Sequence, residues 1–258
     1  MAPVPTPYID FAHRLADASG SVIRRYFRTP VQVDDKPDQT PVTIADREAE
    51  SVMRGMIAAA FPDHGIIGEE EAPVRGHAEW VWTLDPVDGT KAFISGKPLF
   101  GTLIGLCHRG APQLGIVDQP VLRERWIGVA GQATTLNGAP VATRPCPELK
   151  LALLNATSPD MFVADDATRF DRLRRAVKLA MYGGDCYAYA LLASGFIDLV
   201  AEAGLKIYDY CPLVPVIEGA GGTITDWAGK PLGLASGSHA LAAGDKNVHT
   251  AALKTLAA

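Results

Sequence analysis

A string at residues 82–90, which reads WTLDPVDGT, narrows the choice of fold more than any other part of the sequence. An apolar run carries two carboxylates, Asp85 and Asp88, and ends in Gly-Thr. This pattern predicts a strand whose end presents acidic side chains, followed by the start of a helix. Carboxylate oxygens suit Mg²⁺, and the free N–H groups at a helix start suit a phosphate. The string therefore indicates a cation and anion site at the end of a strand.

The composition is that of an ordinary globular protein. Of 258 residues, 48% are hydrophobic and 21% are charged, which allows a sizeable core in one large domain or two packed subdomains. The net charge of -5 argues against a nucleic-acid-binding surface. Four scattered cysteines without a CxxC pair indicate free thiols rather than structural zinc. We see no signal peptide and no apolar run that could span a membrane, so we expect a soluble, cytoplasmic protein.

The two halves of the chain show different patterns. In the first, amphipathic helices are followed by strand-like runs separated by turns, which predicts an antiparallel sheet and an α+β subdomain over residues 1–145. In the second, strands and helices alternate, which predicts an α/β subdomain with a mixed, partly parallel sheet over residues 146–258. We expect one compact unit with a cleft. The main predicted elements are helices at 7–27, 46–60, 166–177, 185–193 and 209–219, and strands at 31–33, 66–67, 80–84, 102–107, 114–117, 125–129, 151–154, 197–201 and 223–226.

Acidic residues stand at several predicted strand ends and helix starts. They are Asp46, Glu69, Asp85, Asp88 and Asp209. Each one alone is explained as well by a turn, a helix cap or a solvated run. Together they indicate a shared site, because ligands of open α/β sheets collect at the carboxyl ends of strands.

The order of these motifs resembles one family. Gly68-Glu69-Glu70 is followed by DPVDGT at 85–90, then by Asp209 and the string EGAGG at 218–222. This order is similar to that of the inositol monophosphatase family of Mg²⁺-dependent phosphatases, across nearly the whole chain. The resemblance implies a layered αβαβα sugar-phosphatase-type fold. Three further strings, at 89–104, 183–189 and 208–210, resemble the histidinol-phosphate phosphatases within it.

The resemblance also implies a set of metal ligands. Glu69, Asp85 and the Val87 carbonyl would hold a first Mg²⁺, and Asp85, Asp88 and Asp209 a second, with Glu69 sharing a third and weaker ion. Two ions bridging a phosphate activate a water and stabilise the leaving oxygen, which requires several carboxylates. Mn²⁺ is a potential substitute for Mg²⁺.

The resemblance implies catalytic and phosphate-binding roles for neighbouring residues. Thr90, hydrogen-bonded to Asp46, would orient and deprotonate the attacking water, although both residues also suit helix caps. The backbone N–H groups of Gly89 and Thr90 would bind phosphate oxygens. Lys36 would assist near the phosphate or the third metal.

Two acidic residues bear on the choice of substrate. Asp185 and Glu202 lie where the family binds the leaving group, and two anionic side chains suit a cationic amino alcohol such as histidinol. Glu202 suits inositol as well, so Asp185 discriminates better. A helix N-cap is the rival interpretation of Asp185.

The sequence therefore predicts an enzyme that hydrolyses histidinol phosphate to histidinol and phosphate in histidine biosynthesis. The alternatives left open are an inositol-1-monophosphatase and a broad-specificity sugar or nucleotide monophosphatase. A binding protein that has lost catalysis is a further alternative, but no metal carboxylate is missing. The expected partners are a small phosphomonoester and, from the family, a second copy of the chain, with no nucleic acid and no membrane.

Overall fold

A computed structural model describes residues 4–30, 33–35 and 41–258. The helices are α1 (Thr6–Tyr26), α2 (Ile44–Ala60), α3 (Thr90–Ile94), α4 (Asp165–Ala176), α5 (Asp185–Ala193), α6 (Ile207–Tyr210), α7 (Leu213–Gly219) and α8 (Lys246–Ala257). The strands are β1 (Val33–Asp35), β2 (Pro41–Thr43), β3 (Gly65–Gly68), β4 (Trp80–Asp88), β5 (Gly101–His108), β6 (Ala111–Gln119), β7 (Glu124–Val129), β8 (Thr135–Leu136), β9 (Ala139–Pro140), β10 (Leu153–Ala156), β11 (Leu179–Tyr182), β12 (Leu199–Glu202), β13 (Thr223–Thr225) and β14 (Ala240–Ala243).

Within the described residues the strands form three sheets. A two-stranded ribbon pairs β1 with β2, a seven-stranded sheet runs in the order β3 to β9, and a five-stranded sheet has the order β11-β10-β12-β14-β13.

The elements stack in five layers. α1 and α2 pack on one face of the seven-stranded sheet, and α5, α6 and α7 fill the space between its other face and the five-stranded sheet. α4 and α8 cover the outer face of the five-stranded sheet. Each layer buries its apolar side against the next, as secondary-structure layers must. The predicted αβαβα arrangement is confirmed.

Strand directions follow the predicted change between the halves, with one exception. β4 to β9 are antiparallel throughout, but β3 runs parallel to β4. In the second sheet β10 is parallel to β11 and β12, and the other pairs are antiparallel. The first sheet ends at Pro140 and the second begins at Leu153, so the boundary that we propose near residue 145 falls between them.

Several predicted elements differ in detail. The predicted strand at 151–154 begins at Leu153, after a short 3₁₀ turn over Leu149–Leu151. The predicted helix at 209–219 is two helices, α6 and α7, separated at Cys211 and Pro212. β2, β8, β9, β11, β14 and α8 were not predicted, whereas the helix start predicted after Asp88 is α3. Residues 31–32 of the predicted strand at 31–33 lie outside the described residues, as does most of the predicted loop at 36–41.

The start of α2 also differs from the prediction. The helix begins at Ile44, with Thr43 rather than Asp46 at the N-cap. Asp46 stands three residues on and accepts hydrogen bonds from the Thr43 backbone N–H (2.9 Å) and hydroxyl (2.6 Å). This reciprocal cap is a capping box. In the part of the chain that is described, no helix has the length and apolar character needed to cross a membrane.

Candidate active site

The end of β4 presents two of the predicted metal ligands. The pairing of β4 with β5 changes register between Asp85 and Asp88, which marks a bulge in the strand. The Val87 N–H donates to Asp85 Oδ1 at 3.0 Å, and the Thr102 hydroxyl donates to the Pro86 carbonyl at 2.8 Å. A bulge changes the alternation of side chains along a strand. Asp85 and Asp88 therefore both reach one cavity, although they are three residues apart.

Asp209 meets these two residues from the other side of the cavity. It lies in the first turn of α6 and accepts a hydrogen bond from the Lys206 N–H at 2.8 Å. One carboxylate oxygen of each of Asp85, Asp88 and Asp209 lies within 4.8 Å of the other two. The structure thus brings together three predicted ligands from two distant parts of the chain.

A row of three glycines allows this close approach. Gly105, Gly115 and Gly128 are register partners on β5, β6 and β7. A Cβ at Gly115 would overlap the Pro212 carbonyl, and one at Gly128 would overlap the Pro215 carbonyl. Because no side chain separates them, the backbone at the break between α6 and α7 rests directly on the sheet.

Glu69 reaches the same site through the parallel pairing of β3 and β4. This pairing places Gly68 beside Leu84, and the Glu69 N–H donates to the Leu84 carbonyl at 3.1 Å. The Glu69 side chain is consequently a hydrogen-bond neighbour of the Asp85 carboxyl group. Val87 lines the same cavity, which has a volume of about 380 Å³.

The carboxylates in this cavity repel one another. Burial raises the pKa of Asp85 well above its ordinary value, and the charges of Glu69 and its other acidic neighbours raise it further. Burial and nearby carboxylates likewise raise the pKa of Asp88. For Asp209, burial raises the pKa to about 7. Crowded anions of this kind are stabilised in their charged form by a cation.

The donor set fits Mg²⁺ or Mn²⁺. The three-residue cluster consists of carboxylates only, and hard oxygen ligands are those that Mg²⁺ prefers. Asp85, Asp88 and Asp209 would hold such an ion, and Glu69 and Val87, which line the same cavity, are the residues that would hold a second.

Thr90 and Asp46 lie together at the edge of the cavity. The Thr90 hydroxyl is 3.4 Å from Asp46 Oδ1 and 3.1 Å from the Val87 carbonyl oxygen. Asp46 Oδ2 accepts both capping-box hydrogen bonds from Thr43, which leaves Oδ1 to face the Thr90 hydroxyl. Burial raises the pKa of Asp46, while its hydrogen bonds from Thr43 oppose that shift.

The predicted phosphate-binding residues are placed in part. Gly89 and Thr90 line the cavity at the start of α3, where Gly89 is the N-cap in a left-handed conformation (φ 95°). Such a conformation favours glycine. Lys36 lies outside the described residues.

Asp185 and Glu202 line a neighbouring part of the cavity, beside Asp88. Glu202 is buried at the end of β12 and accepts hydrogen bonds from the Thr157 N–H (2.9 Å) and the Tyr189 hydroxyl (3.0 Å). Asp185 is the first residue of α5, with a φ of 46°, and the N-cap position belongs to Gly184 instead. The N-cap interpretation of Asp185 is therefore wrong. Left-handed backbone is uncommon for a non-glycine residue, but six other described residues share it, so the conformation alone does not mark a functional residue.

Burial also raises the pKa values of this second pair. That of Asp185 rises to about 6, although Lys91 and Thr157 oppose the shift. That of Glu202 rises to about 7. Both residues line a narrow extension of the cavity, about 70 Å³ in volume, which also reaches Asp88.

Sequence reasoning missed some residues of the site. Thr157, Lys91 and Tyr208 line the cavity without having been named as candidates. Thr157 directly follows β10, so the strand-end rule that found Asp85 would have found it too.

The tyrosines and cysteines in and beside the sequence strings at 183–189 and 208–210 differ in how close they come to the site. Tyr187 donates to Glu124 at 2.6 Å and packs edge-on against Trp126, whereas the buried Tyr189 donates to Glu202 and lines the narrow extension together with Cys186. The side chains of Cys186 and Cys211 are buried as well.

Comparison with known proteins identifies the family. The inositol monophosphatase family matches residues 5–258. The chain belongs to the inositol monophosphatase family. Its members are metal-dependent phosphatases that generally use Mg²⁺, and the acidic cluster described above agrees with this. The resemblance seen in the sequence is confirmed.

Individual relatives within the family cover most of the chain. A bifunctional phosphatase, IMPL2, chloroplastic, from Arabidopsis thaliana is 53% identical over 94% of this chain and 72% of its own length. A histidinol-phosphatase from Chlorobaculum parvum is 36% identical over 87% of this chain and 88% of its own. Among solved structures, an inositol monophosphatase from Zymomonas mobilis superimposes with a TM-score of 0.91 at 46% identity, covering 98% of both chains.

Proposed function

We propose that this phosphatase hydrolyses histidinol phosphate to histidinol and inorganic phosphate, with divalent cations bound by Glu69, Asp85, Val87, Asp88 and Asp209. The observation that carries the choice of substrate is the position of Asp185. Its carboxylate lines the cavity beside Gly89 and is not used as a helix cap. An amino alcohol brings an ammonium group, which forms a charge-assisted hydrogen bond with such a carboxylate.

Each side of the cavity has one task in this proposal. Thr90 and Asp46 orient the attacking water and accept its proton, and the N–H groups of Gly89 and Thr90 bind phosphate oxygens. The bound cations supply positive charge that lowers the pKa of water and stabilises the leaving oxygen. Water attacks phosphorus, the bond from phosphorus to the ester oxygen breaks, and the alcohol leaves after taking up a proton. The proton taken from the attacking water balances the one that the leaving oxygen gains, and Asp185 and Glu202 hold the alcohol in place.

Glu202 supports a second candidate substrate, inositol-1-phosphate. A buried carboxylate accepts hydrogen bonds from hydroxyl groups as readily as from an ammonium group, and Glu202 lines the same narrow extension as Asp185. The solved structure from Zymomonas mobilis is an inositol monophosphatase. Activity on inositol-1-phosphate, or on a broader range of sugar and nucleotide monophosphates, is therefore the alternative.

The deciding experiment is phosphate release in the presence of Mg²⁺ from four substrates, compared by kcat/KM. They are histidinol phosphate, inositol-1-phosphate, a 3′,5′-bisphosphonucleotide and fructose-1,6-bisphosphate. We expect a clear preference for histidinol phosphate. An equal or better value for inositol-1-phosphate would overturn the substrate assignment and leave the metal-dependent chemistry in place. Release that does not depend on Mg²⁺ or Mn²⁺ would overturn the chemistry itself.

A further inference from the structure

A buried ion pair lies on α2, outside the cavity. Glu50 and Arg54 are separated by one helical turn, and Arg54 Nε is 2.7 Å from Glu50 Oε1. Their side chains are 0% and 9% exposed. Burying two charges is costly unless their remaining hydrogen-bonding groups are satisfied. The partners of those groups therefore indicate what the pair does.

All of the further partners lie in one short segment, Glu70–Ala72. Glu50 accepts hydrogen bonds from the backbone N–H groups of Glu70 (2.8 Å) and Glu71 (3.0 Å). Arg54 donates to the carbonyl groups of Glu71 (2.7 Å) and Ala72 (3.1 Å). The pair therefore fixes both the donors and the acceptors of this segment, which continues directly from Glu69.

Gly68 completes the arrangement. A Cβ at this position would overlap the carboxylate of Glu50. The glycine before Glu69 thus leaves the space in which Glu50 reaches the backbone that follows. The backbone of Glu69 is fixed by the hydrogen bond from its N–H to the Leu84 carbonyl. The chain that follows it is fixed by the hydrogen bonds of Glu50 and Arg54.

The positive charge of Arg54 has a second effect. A buried carboxylate at Glu50 without a counter-ion would add another negative charge behind Glu69, where the acidic residues already repel one another. Paired with Arg54, Glu50 supplies hydrogen-bond acceptors without a net charge.

We propose that Glu50 and Arg54 are positioning residues for metal binding, which hold the Glu69 carboxylate at the cavity from behind. This inference rests on the proposed role of Glu69 as a metal ligand. It does not depend on which phosphomonoester is the substrate, because metal binding is measured without one.

The test is calorimetric titration of the folded, metal-free protein with Mn²⁺, comparing wild type with Arg54→Lys and Glu50→Gln. Lysine keeps the cation beside Glu50 but lacks the planar fork that reaches Glu50 and two carbonyl groups at once, and glutamine keeps the size of Glu50 but replaces one acceptor oxygen with an NH₂ donor. We expect the Kd for Mn²⁺ to rise by ~10–100-fold in both, as for other residues that orient metal ligands. We expect kcat at saturating metal to recover to within about threefold of wild type, because the ligands themselves are intact.

A matched control separates this effect from general loosening of the fold. Asp198 is another buried carboxylate that accepts bonds from an arginine fork (Arg144, 2.6 and 2.7 Å) and from a backbone N–H (Leu153, 2.8 Å). We expect Asp198→Asn to lower the thermal midpoint without changing the Kd for Mn²⁺. An unchanged Kd in Arg54→Lys, or an equal rise in Asp198→Asn, would overturn the inference. Arg54→Lys decides the question if Glu50→Gln does not fold.

Failure of this inference and failure of the proposed function give different results. If Arg54→Lys binds Mn²⁺ as wild type does while wild type still hydrolyses histidinol phosphate, only the positioning role is wrong. If wild type binds Mn²⁺ but releases no phosphate from that substrate, only the substrate assignment is wrong.

Discussion

Within the cavity, Asp85, Asp88 and Asp209 lie where the backbones of a strand bulge and a helix start meet. Their positions depend on backbone contacts between β4, the glycine row and the break between α6 and α7. Asp185 and Glu202, which line the narrow extension beside Asp88, are instead placed by side-chain and local contacts, such as the Tyr189 hydroxyl and the left-handed turn before α5. The first arrangement has few ways to change without loss of structure, whereas the second changes with a single side chain. We therefore expect substitutions in the first set of carboxylates to affect every substrate, and substitutions in the second set to affect the choice among substrates.

The largest expected effect comes from Asp88→Asn. In the wild type, the Cys186 N–H donates to Asp88 Oδ2 at 2.5 Å. Asparagine keeps an oxygen that can accept this hydrogen bond, so we expect the fold to persist. Loss of one charged ligand should lower kcat/KM by ~10³-fold, because metal stabilisation of the transition state contributes several kcal/mol. We expect the same loss for all four substrates in a phosphate-release assay. Full activity on any of the four substrates would show that Asp88 is not required for hydrolysis of every substrate.

The next effect concerns the glycine row. Gly115→Ala introduces a methyl group against the Pro212 carbonyl, and we expect a loss of about 3 kcal/mol in the free energy of unfolding, the upper end for overpacked cores. Gly55 on α2 has open space around its Cβ position, so Gly55→Ala is the matched control. It should raise the free energy of unfolding by ~0.5–1 kcal/mol. Urea denaturation measures both, and similar values for the two variants would show that the row has no packing role.

A smaller and more selective effect is expected for Asp185→Asn. Loss of a charge-assisted hydrogen bond should lower kcat/KM for histidinol phosphate by ~10–100-fold, since such bonds contribute about 1.5–3 kcal/mol. Activity on inositol-1-phosphate should change by less than about threefold. Glu202→Gln is the companion variant and should lower both activities. An equal loss on both substrates in Asp185→Asn would show that Asp185 does not select the ammonium group.

The smallest effect is a pH dependence of selectivity. Burial raises the pKa of Asp185 to about 6, so this carboxyl group becomes protonated and neutral as the pH falls below that value. The ratio of kcat/KM for histidinol phosphate to that for inositol-1-phosphate should then fall, by up to about tenfold per pH unit. The ratio removes the titration of the phosphate group, which both substrates share. The imidazole of histidinol phosphate also titrates near this pH, so the part of the slope that disappears in Asp185→Asn is the part that belongs to Asp185. An unchanged slope in that variant would assign the titration to another group.

The sequence was informative where function and local pattern coincide. The WTLDPVDGT string predicted a strand at 80–84 with two carboxylates at its end, and β4 begins at Trp80 but continues to Asp88, so that both carboxylates belong to the strand itself. The amphipathic spacing at 7–27 predicted α1 to within one residue at each end. The alanine-rich strand β14 was missed because it has no alternation of apolar and polar residues, and α8 was missed although its buried Val248, Ala252 and Leu256 recur at helical spacing.

The contacts that hold the site residues in position could not be predicted from the sequence, because they depend on how the strands and helices meet in the fold. Gly105, Gly115 and Gly128 are scattered in sequence, and only the pairing of β5, β6 and β7 aligns them. Pro212 looked compatible with a continuous helix, yet it separates two helices and rests on Gly115. Glu50 followed the helical pattern of α2 and gave no sign that it binds the backbone after Glu69.

The glycine row also bears on how the enzyme can be redesigned. A contact between backbone atoms involves no side-chain rotamers. We therefore expect it to keep the same geometry when side chains elsewhere in the site are replaced. New substrate ranges can be sought in libraries at positions 157, 185 and 202, with the position of Asp209 held constant by the row. Libraries that include positions 105, 115 or 128 should instead lose most of their folded members.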